Sequence, residues 1–290
     1  MASSGEGKPT FGEQEQRAAV DEFVARPKWL GDDAIALRPP APDASNWVFV
    51  TGLARSGTTG IADLINAHPH ACVMNEAYVL MYADIPFYQR YYVTPHKPPI
   101  NHNKAHDRRD NNRFGPADIR ALMEGVRSMI APTAAVFGDK ATQLHHQRLP
   151  FIKAVFPGCR FVHITRDPWD QVKSMLAQPW WRAPREHRAG RRLSDRELAE
   201  MGLTAIARMK RHTQYRWLMG EHADVHRVAF EDIAARPQEV LTELLRFLGL
   251  PFDPYDWDAI GRTRYARSVG YWRDNPALVE MHDEGWETGI

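Results

Sequence analysis

The chain has 290 residues, 43% of them apolar and 25% charged, with a formal net charge of +1. That balance suits one large globular α/β domain and excludes the strongly basic surface that bulk nucleic-acid binding needs. Cys72 and Cys159 stand far apart among apolar neighbours and read as free thiols of a reducing compartment, not as a disulfide framework. No apolar leader follows Met1 and no apolar run nears the length of a membrane span, so a soluble, cytoplasmic protein is expected, with no membrane partner.

Residues 1–45 are expected to form an N-terminal arm, and residues 46–290 the main domain. Gln14–Trp29 has enough Ala, Val and Phe for one peripheral helix, which serves either as core cover or as a subunit contact in a homodimer. Arg38-Pro39-Pro40-Ala41-Pro42 reads as an extended linker. Trp47–Thr51 is uncharged, β-branched and aromatic, the composition of a buried central strand. The chain then turns through Gly52-Leu53-Ala54-Arg55-Ser56-Gly57-Thr58-Thr59 into a helix whose Ile61, Leu64 and Ile65 make one apolar stripe. Strand, glycine-bounded loop and helix together make an anion cradle. The glycines let successive N–H groups turn inward, and the helix N-terminus adds partial positive charge. Ser56, Thr58 and Thr59 add hydroxyl donors, and Arg55 adds a fork that grips two oxygens. A Walker loop has Lys directly after its second glycine, whereas here Gly57 is followed by Thr58-Thr59 and the cation sits within the loop.

Arg-Ser-Gly-Thr-Thr after a hydrophobic strand, with His68-Pro69 downstream and Glu76 beyond, resembles the 5′-phosphosulfate loop of sulfotransferases that use 3′-phosphoadenosine 5′-phosphosulfate (PAPS). Within that superfamily the motifs are most similar to the tyrosylprotein sulfotransferases and their bacterial relatives. The resemblance implies that Arg55, Ser56, Gly57, Thr58 and Thr59 bind the cofactor's 5′ end and that Glu76 is the catalytic base.

Beyond Glu76 the chain turns aromatic, with Tyr78, Tyr82, Phe87, Tyr88, Tyr91 and Tyr92. These pack a surface helix or line an apolar slot for the acceptor. Pro95–Arg113 is hydrophilic and basic and reads as a long surface loop. Pro116 opens a helix through Leu122, Val126 and Met129. A second strand, Ala134–Phe137, ends in Gly138-Asp139-Lys140. Alone, Lys140 would be a surface residue at a strand end; the resemblance implies a catalytic cation. His145 and His146 follow in a helix that ends at Phe156. They are adjacent and so cannot share a metal on a helix, but either is an alternative base.

The third strand, Arg160–Thr165, runs into Arg166-Asp167-Pro168, where Asp167 is a natural N-cap and Pro168 a natural first helical residue. Alone, Arg166 reads as an exposed strand end paired with Asp167 or Asp170. The run Phe-Val-His-Ile-Thr-Arg-Asp-Pro, with Ser174 eight residues after the Arg, resembles the family's 3′-phosphate site, which implies that Arg166 and Ser174 hold that phosphate. Gln178–Arg192 reads as an irregular basic loop in which Arg182, Arg185 or Arg188 meets an anionic acceptor, or else a plain exposed loop anchored by Trp180 and Trp181. Ser194-Asp195-Arg196-Glu197 is a capping box that starts one long helix reaching Leu218. A last strand, Val225–Phe230, leads to a helix opened by Pro237 and closed by Gly249. Many members of the family have Tyr where this chain has Phe230. Arg264–Trp272 resembles the loop that folds over the cofactor, with Arg267 and Ser268 as its contacts.

The expected fold is α/β: a P-loop-like three-layer domain with a central, mainly parallel four- to five-stranded sheet flanked by helices. The expected reaction is transfer of a sulfuryl group from PAPS to a hydroxyl, phenol or amine of a small-molecule or peptide acceptor, leaving adenosine 3′,5′-bisphosphate, with no metal required. Two alternatives stand beside it. One is a Mg²⁺-dependent nucleotide or small-molecule kinase in which Asp139 holds the ion, and the other is a non-catalytic adenosine-phosphate binder.

Overall fold

The computed structural model describes residues 46–76, 116–142, 149–258, 260 and 265–286. The expectations for the N-terminal arm, the aromatic run, the basic segment before Pro116, and His145 and His146 lie outside the described residues. The chain divides into two compact units, one of Met1–Ala44 with Glu76–Pro132 and one of Ser45–Asn75 with Thr133–Ile290.

In the second unit, β1 (Asn46–Gly52), β2 (Ala71–Asn75), β3 (Val136–Lys140), β4 (Arg160–Thr165) and β5 (Val225–Ala229) form a parallel sheet in the order β2-β3-β1-β4-β5. Its helices are α1 (Thr58–Asn66), α3 (Leu149–Val155), α4 (Pro168–Leu176), α5 (Pro179–Ala189), α6 (Asp195–Lys210), α7 (Thr213–Leu218), α8 (Phe230–Ala235), α9 (Pro237–Leu248) and α10 (Pro276–Asp283). Within the first unit, α2 (Pro116–Ile130) buries Met123 and Val126.

Strand β1 is central and alternates between two apolar surroundings. Val48 and Val50 join α1 and the Val240, Leu241, Leu244, Leu245 and Leu248 stripe of α9. Trp47 and Phe49 face the aromatic layer, where Phe156 lies 4.5 and 5.5 Å away between ring centroids. Burial on both faces is why β1 carries no charge. After β1 the chain crosses to β2 on one side, and after β4 it proceeds to β5 on the other. The carboxyl ends of β1 and β4 therefore flank the point where strand order reverses, the place where open parallel sheets leave a crevice. The loop after β1 and Arg166 after β4 meet there.

Several local expectations hold in detail. Asp167 accepts from the N–H groups of Trp169 and Asp170 and caps α4, with Pro168 at its start. Ser194 and Glu197 close a reciprocal capping box on α6. Pro237 opens α9, and Gly249, at φ 73, ends it.

Four expectations need correction. The basic Gln178–Arg192 loop is mostly helical: α5 begins at Pro179 and stops at Gly190, φ 65, although it contains Pro184. It is held by its own cations, Arg185 reaching the Trp181 carbonyl at 2.7 Å and Arg188 the Pro184 carbonyl at 3.2 Å. The single long helix is two, because α6 ends at Lys210 and the His212 ring accepts from the Gln214 N–H to start α7. Asp139 and Lys140 are the last residues of β3 and lie within the strand. Phe230 opens α8 instead of closing β5.

Candidate active site

The loop after β1 is built by close backbone approach. The Ser56 N–H donates to the Leu53 carbonyl at 3.1 Å, and Arg55 takes a left-handed φ of 68. A non-glycine residue there costs about 1–2 kcal/mol unless its surroundings fix it. Two bonds fix it. Arg166 donates through one terminal nitrogen to the Arg55 carbonyl at 3.0 Å, and the Arg55 Nε donates to the Ser174 Oγ at 2.7 Å. Gly57 follows at φ 99, and a Cβ there would stand 2.6 Å from the Phe230 ring. At Gly60 a Cβ would run into the Tyr265 hydroxyl, which lies 3.3 Å from the Gly57 carbonyl and donates to it. Only a residue without a side chain fits either place.

Helix α1 starts at Thr58 with Gly57 as its N-cap, so no side chain caps its first N–H groups. Its first N–H groups precede the first helical bond, which runs from Ile61 to Gly57. Ser56 is fully buried, and among the described residues its Oγ has no hydrogen-bond partner. Thr58 is buried as well and Thr59 exposed. An unsatisfied buried hydroxyl beside an uncapped helix N-terminus is a place prepared for an acceptor-rich anion.

Arg166 is the hub of the neighbouring half of the site. It is buried, not an exposed strand end, and its bonds run to carbonyls instead of to Asp167 or Asp170. Besides the Arg55 carbonyl, it donates to the Ser268 carbonyl at 2.5 Å. The guanidinium lies 4.0 Å from the centroid of Phe230 and 5.4 Å from that of Tyr271, so two aromatic faces support the cation. Burial draws its pKa below the usual arginine value, while nearby Tyr271, Asp170 and Glu231 oppose that shift. An unbroken series of bonds thus links Ser174, Arg55, Arg166 and Ser268, four residues drawn from three separate stretches of sequence.

The family model for the sulfotransferase family matches residues 47–254, most of the chain, including the loop after β1, Arg166 and Ser174. The chain belongs to the sulfotransferase family. Sulfotransferase STF9 from Mycobacterium avium shares the fold, with a TM-score of 0.50 and 14% identity over 92% of this chain and 78% of that one. Mouse sulfotransferase SULT7A1 complexed with PAP is 13% identical, with a TM-score of 0.46 over 82% of each chain. No curated protein matches the sequence.

In this sulfotransferase the remaining expected residues fall as follows. Lys140 is nearly fully buried at the end of β3, in register with Val50 and Asn75, not at the surface. Its charge lowers the pKa of Asp63 on α1, although burial leaves that carboxyl raised overall. Asp139, the residue that would hold the ion in a magnesium-dependent kinase, is fully buried in the sheet. Glu76 follows β2 directly and, like Arg55, has a left-handed backbone, φ 56; these two are the non-glycine residues of positive φ among those described. Arg267 is exposed beside Ser268 and takes no part in the bonded series. The arginines of α5 are already partnered: Arg182 with Glu186 and Asp195, and Arg185 over the Trp181 ring at 3.2 Å.

Three participants were missed from sequence. Phe230 supports Arg166 by its ring, so the hydroxyl of a Tyr is not what this position needs. Tyr265 props the loop after β1. Asp170 accepts from the Gly270 and Trp272 N–H groups at 2.7 and 3.1 Å. Their partners lie far away in sequence, and no local pattern announces them.

Proposed function

We propose that this sulfotransferase moves a sulfuryl group from PAPS to a hydroxyl, phenol or amine acceptor, with Glu76 as general base. The observation that carries the reading is the bonded series Ser174–Arg55–Arg166–Ser268, because it joins the loop that suits a 5′-phosphate to the residues that suit a 3′-phosphate. Bound PAPS supplies the sulfuryl group and a stable leaving phosphate. Thr58, Thr59, Ser56 and the first N–H groups of α1 hold the 5′-phosphate, and Arg166 and Ser174 hold the 3′-phosphate. Arg55 and Lys140 offset the negative charge that gathers on the bridging and equatorial oxygens as transfer proceeds. Glu76 takes the acceptor's proton as the new bond to sulfur forms and the bond to the phosphate oxygen breaks. The resemblance of the Glu76 position to the tyrosylprotein enzymes supports that role, and so does its strained backbone, since such residues gather at functional sites.

Thermal shift with adenosine 3′,5′-bisphosphate, ATP and ADP, each with and without Mg²⁺, tests the cofactor. A ligand that binds only the folded chain raises its stability with the logarithm of concentration over dissociation constant. Metal-independent stabilisation by the bisphosphate is expected. Stabilisation by ATP with Mg²⁺ alone would overturn the reading in favour of a kinase, and binding without turnover of PAPS in an acceptor screen would leave a non-catalytic binder. For the base, Glu76→Gln is expected to lower kcat by roughly 10²–10⁴ while bisphosphate binding stays unchanged. Full activity in that variant would shift the assignment to His145 or His146.

A further inference from the structure

Asp170 lies one helical turn beyond Arg166, on α4, and is almost completely buried. Its two carboxylate oxygens are used on backbone alone: one accepts from the Gly270 N–H at 2.7 Å and the other from the Trp272 N–H at 3.1 Å. Those amides flank the start of a short 3-10 turn, Tyr271–Asp274, that follows another, Ala266–Ser268. The segment between them presents two groups to Arg166, the Ser268 carbonyl and the Tyr271 ring. Gly270, at φ 70, makes the reversal between the two turns. Trp272 anchors the far end, its ring 5.7 Å from Trp169 and 4.7 Å from His282.

A buried carboxylate costs stability unless its oxygens are satisfied, and burial does raise the Asp170 pKa against the effect of these two bonds. An apolar residue would avoid that cost but leave the Gly270 and Trp272 N–H groups without their acceptor. What the carboxylate adds is direction: two acceptors on one rigid helix fix two amides, and with them the segment 268–271. Gln171, the next residue, donates to the Arg166 carbonyl at 2.7 Å and so holds the other end of the same arginine's backbone.

We propose that Asp170 is a positioning residue for the 3′-phosphate subsite: by pinning the Gly270 and Trp272 amides it sets the Ser268 carbonyl and Tyr271 ring that orient Arg166. The proposal rests on the reading of Arg166 and Ser174 as that subsite. Asp170 touches no ligand in this scheme. It acts through the segment, and its loss should lower discrimination between nucleotides that do and do not carry a 3′-phosphate.

The test is calorimetric titration of the full chain with adenosine 3′,5′-bisphosphate and with adenosine 5′-monophosphate, in wild type, Asp170→Asn and Gly270→Ala. Asparagine keeps the shape and one acceptor but turns an N–H donor toward a backbone N–H. Alanine at position 270 strains the left-handed backbone and crowds Arg273 while leaving the Asp170 carboxylate itself in place. Both variants are expected to weaken the bisphosphate about tenfold or more and leave the monophosphate within about twofold. Hydrogen exchange at 266–274 should quicken in Asp170→Asn, while the amides of α6 and α10 keep their protection. A merely structural role would weaken both nucleotides alike and quicken exchange throughout α4, α6 and α10, and would overturn the proposal. So would an unchanged ratio of affinities in a folded Asp170→Asn. If wild type itself shows no preference for the bisphosphate, the 3′-phosphate reading fails and takes this inference with it.

Discussion

The two halves of the site are made in opposite ways. Around Arg166 most polar groups are already engaged within the protein, with two guanidinium nitrogens on carbonyls, Asp170 on two amides and the Gln171 amide nitrogen on the Arg166 carbonyl, while the Arg166 Nε and Gln171 Oε1 have no partner among the described residues. Around Ser56 the donors are left open, with a buried hydroxyl that has no partner among the described residues and a helix start that no side chain caps. The first half is a framework that keeps its geometry without a ligand. The second is a set of donors whose acceptor must come from outside. Shape selectivity belongs to the framework, and raw attraction for an anion belongs to the open donors.

Arg166→Ala should give the largest break in that comparison. It removes the hub, and bisphosphate affinity is expected to fall at least about a hundredfold, some 3 kcal/mol, measured by calorimetry. Arg166→Lys keeps the charge but not the fork, and should recover only part of the loss.

Gly57→Ala comes next, since it forces a side chain into a left-handed position against the Phe230 ring. It should destabilise the fold by about 2 kcal/mol in urea melts. Pairing it with a smaller residue at 230 should relieve the clash but not the backbone strain.

Ser56→Ala is subtler and sharpens the contrast. The hydroxyl has no partner within the described fold, so its removal should leave stability unchanged or slightly higher, while affinity falls about five- to tenfold. A clear loss of stability would mean that the hydroxyl is bonded in the free protein and that the two halves are less different than described.

The smallest effect on the comparison comes from acid. His163 is buried in β4, and burial, with Arg227 nearby, pushes its pKa down to about 4. Its folded value lies below the unfolded 6.5. Its contribution is therefore fully present above pH 6.5 and lost as pH falls toward 4, about 3 kcal/mol in all. Urea melts of wild type and His163→Gln across that range should show this, with nucleotide selectivity unmoved at pH 7.

Much of this was legible in the sequence, and the reason is locality. Strands β1 and β4 announced themselves as short apolar runs, and Asp167, Ser194, Pro237 and Gly249 as helix ends, because the chemistry that fixes each helix end lies within four residues of it. The loop after β1 and the Arg166–Ser174 pair were legible for the same reason. α5 was not: Pro184 and a run of arginines argue against a helix until Arg185 and Arg188 are seen bonded to its own carbonyls and Arg182 to the Leu193 carbonyl and Asp195. Lys140 read as a catalytic cation only through the resemblance, because nothing nearby in sequence foretells its burial in the sheet. Asp170 stood in the sequence only beside Asp167 as a partner for an exposed Arg166, since the amides it serves lie about a hundred positions later.

The fit of Gly57 and Gly60 against Phe230 and Tyr265 bears on how such a protein can change over generations. Each glycine is bare because an aromatic ring occupies the space that its side chain would take, and the two rings in turn lie against each other, 4.6 Å apart. A single inherited substitution at any of the four opens a hole or makes a collision. Larger side chains at Gly57 or Gly60 are therefore expected only together with a compensating change in the ring that faces them.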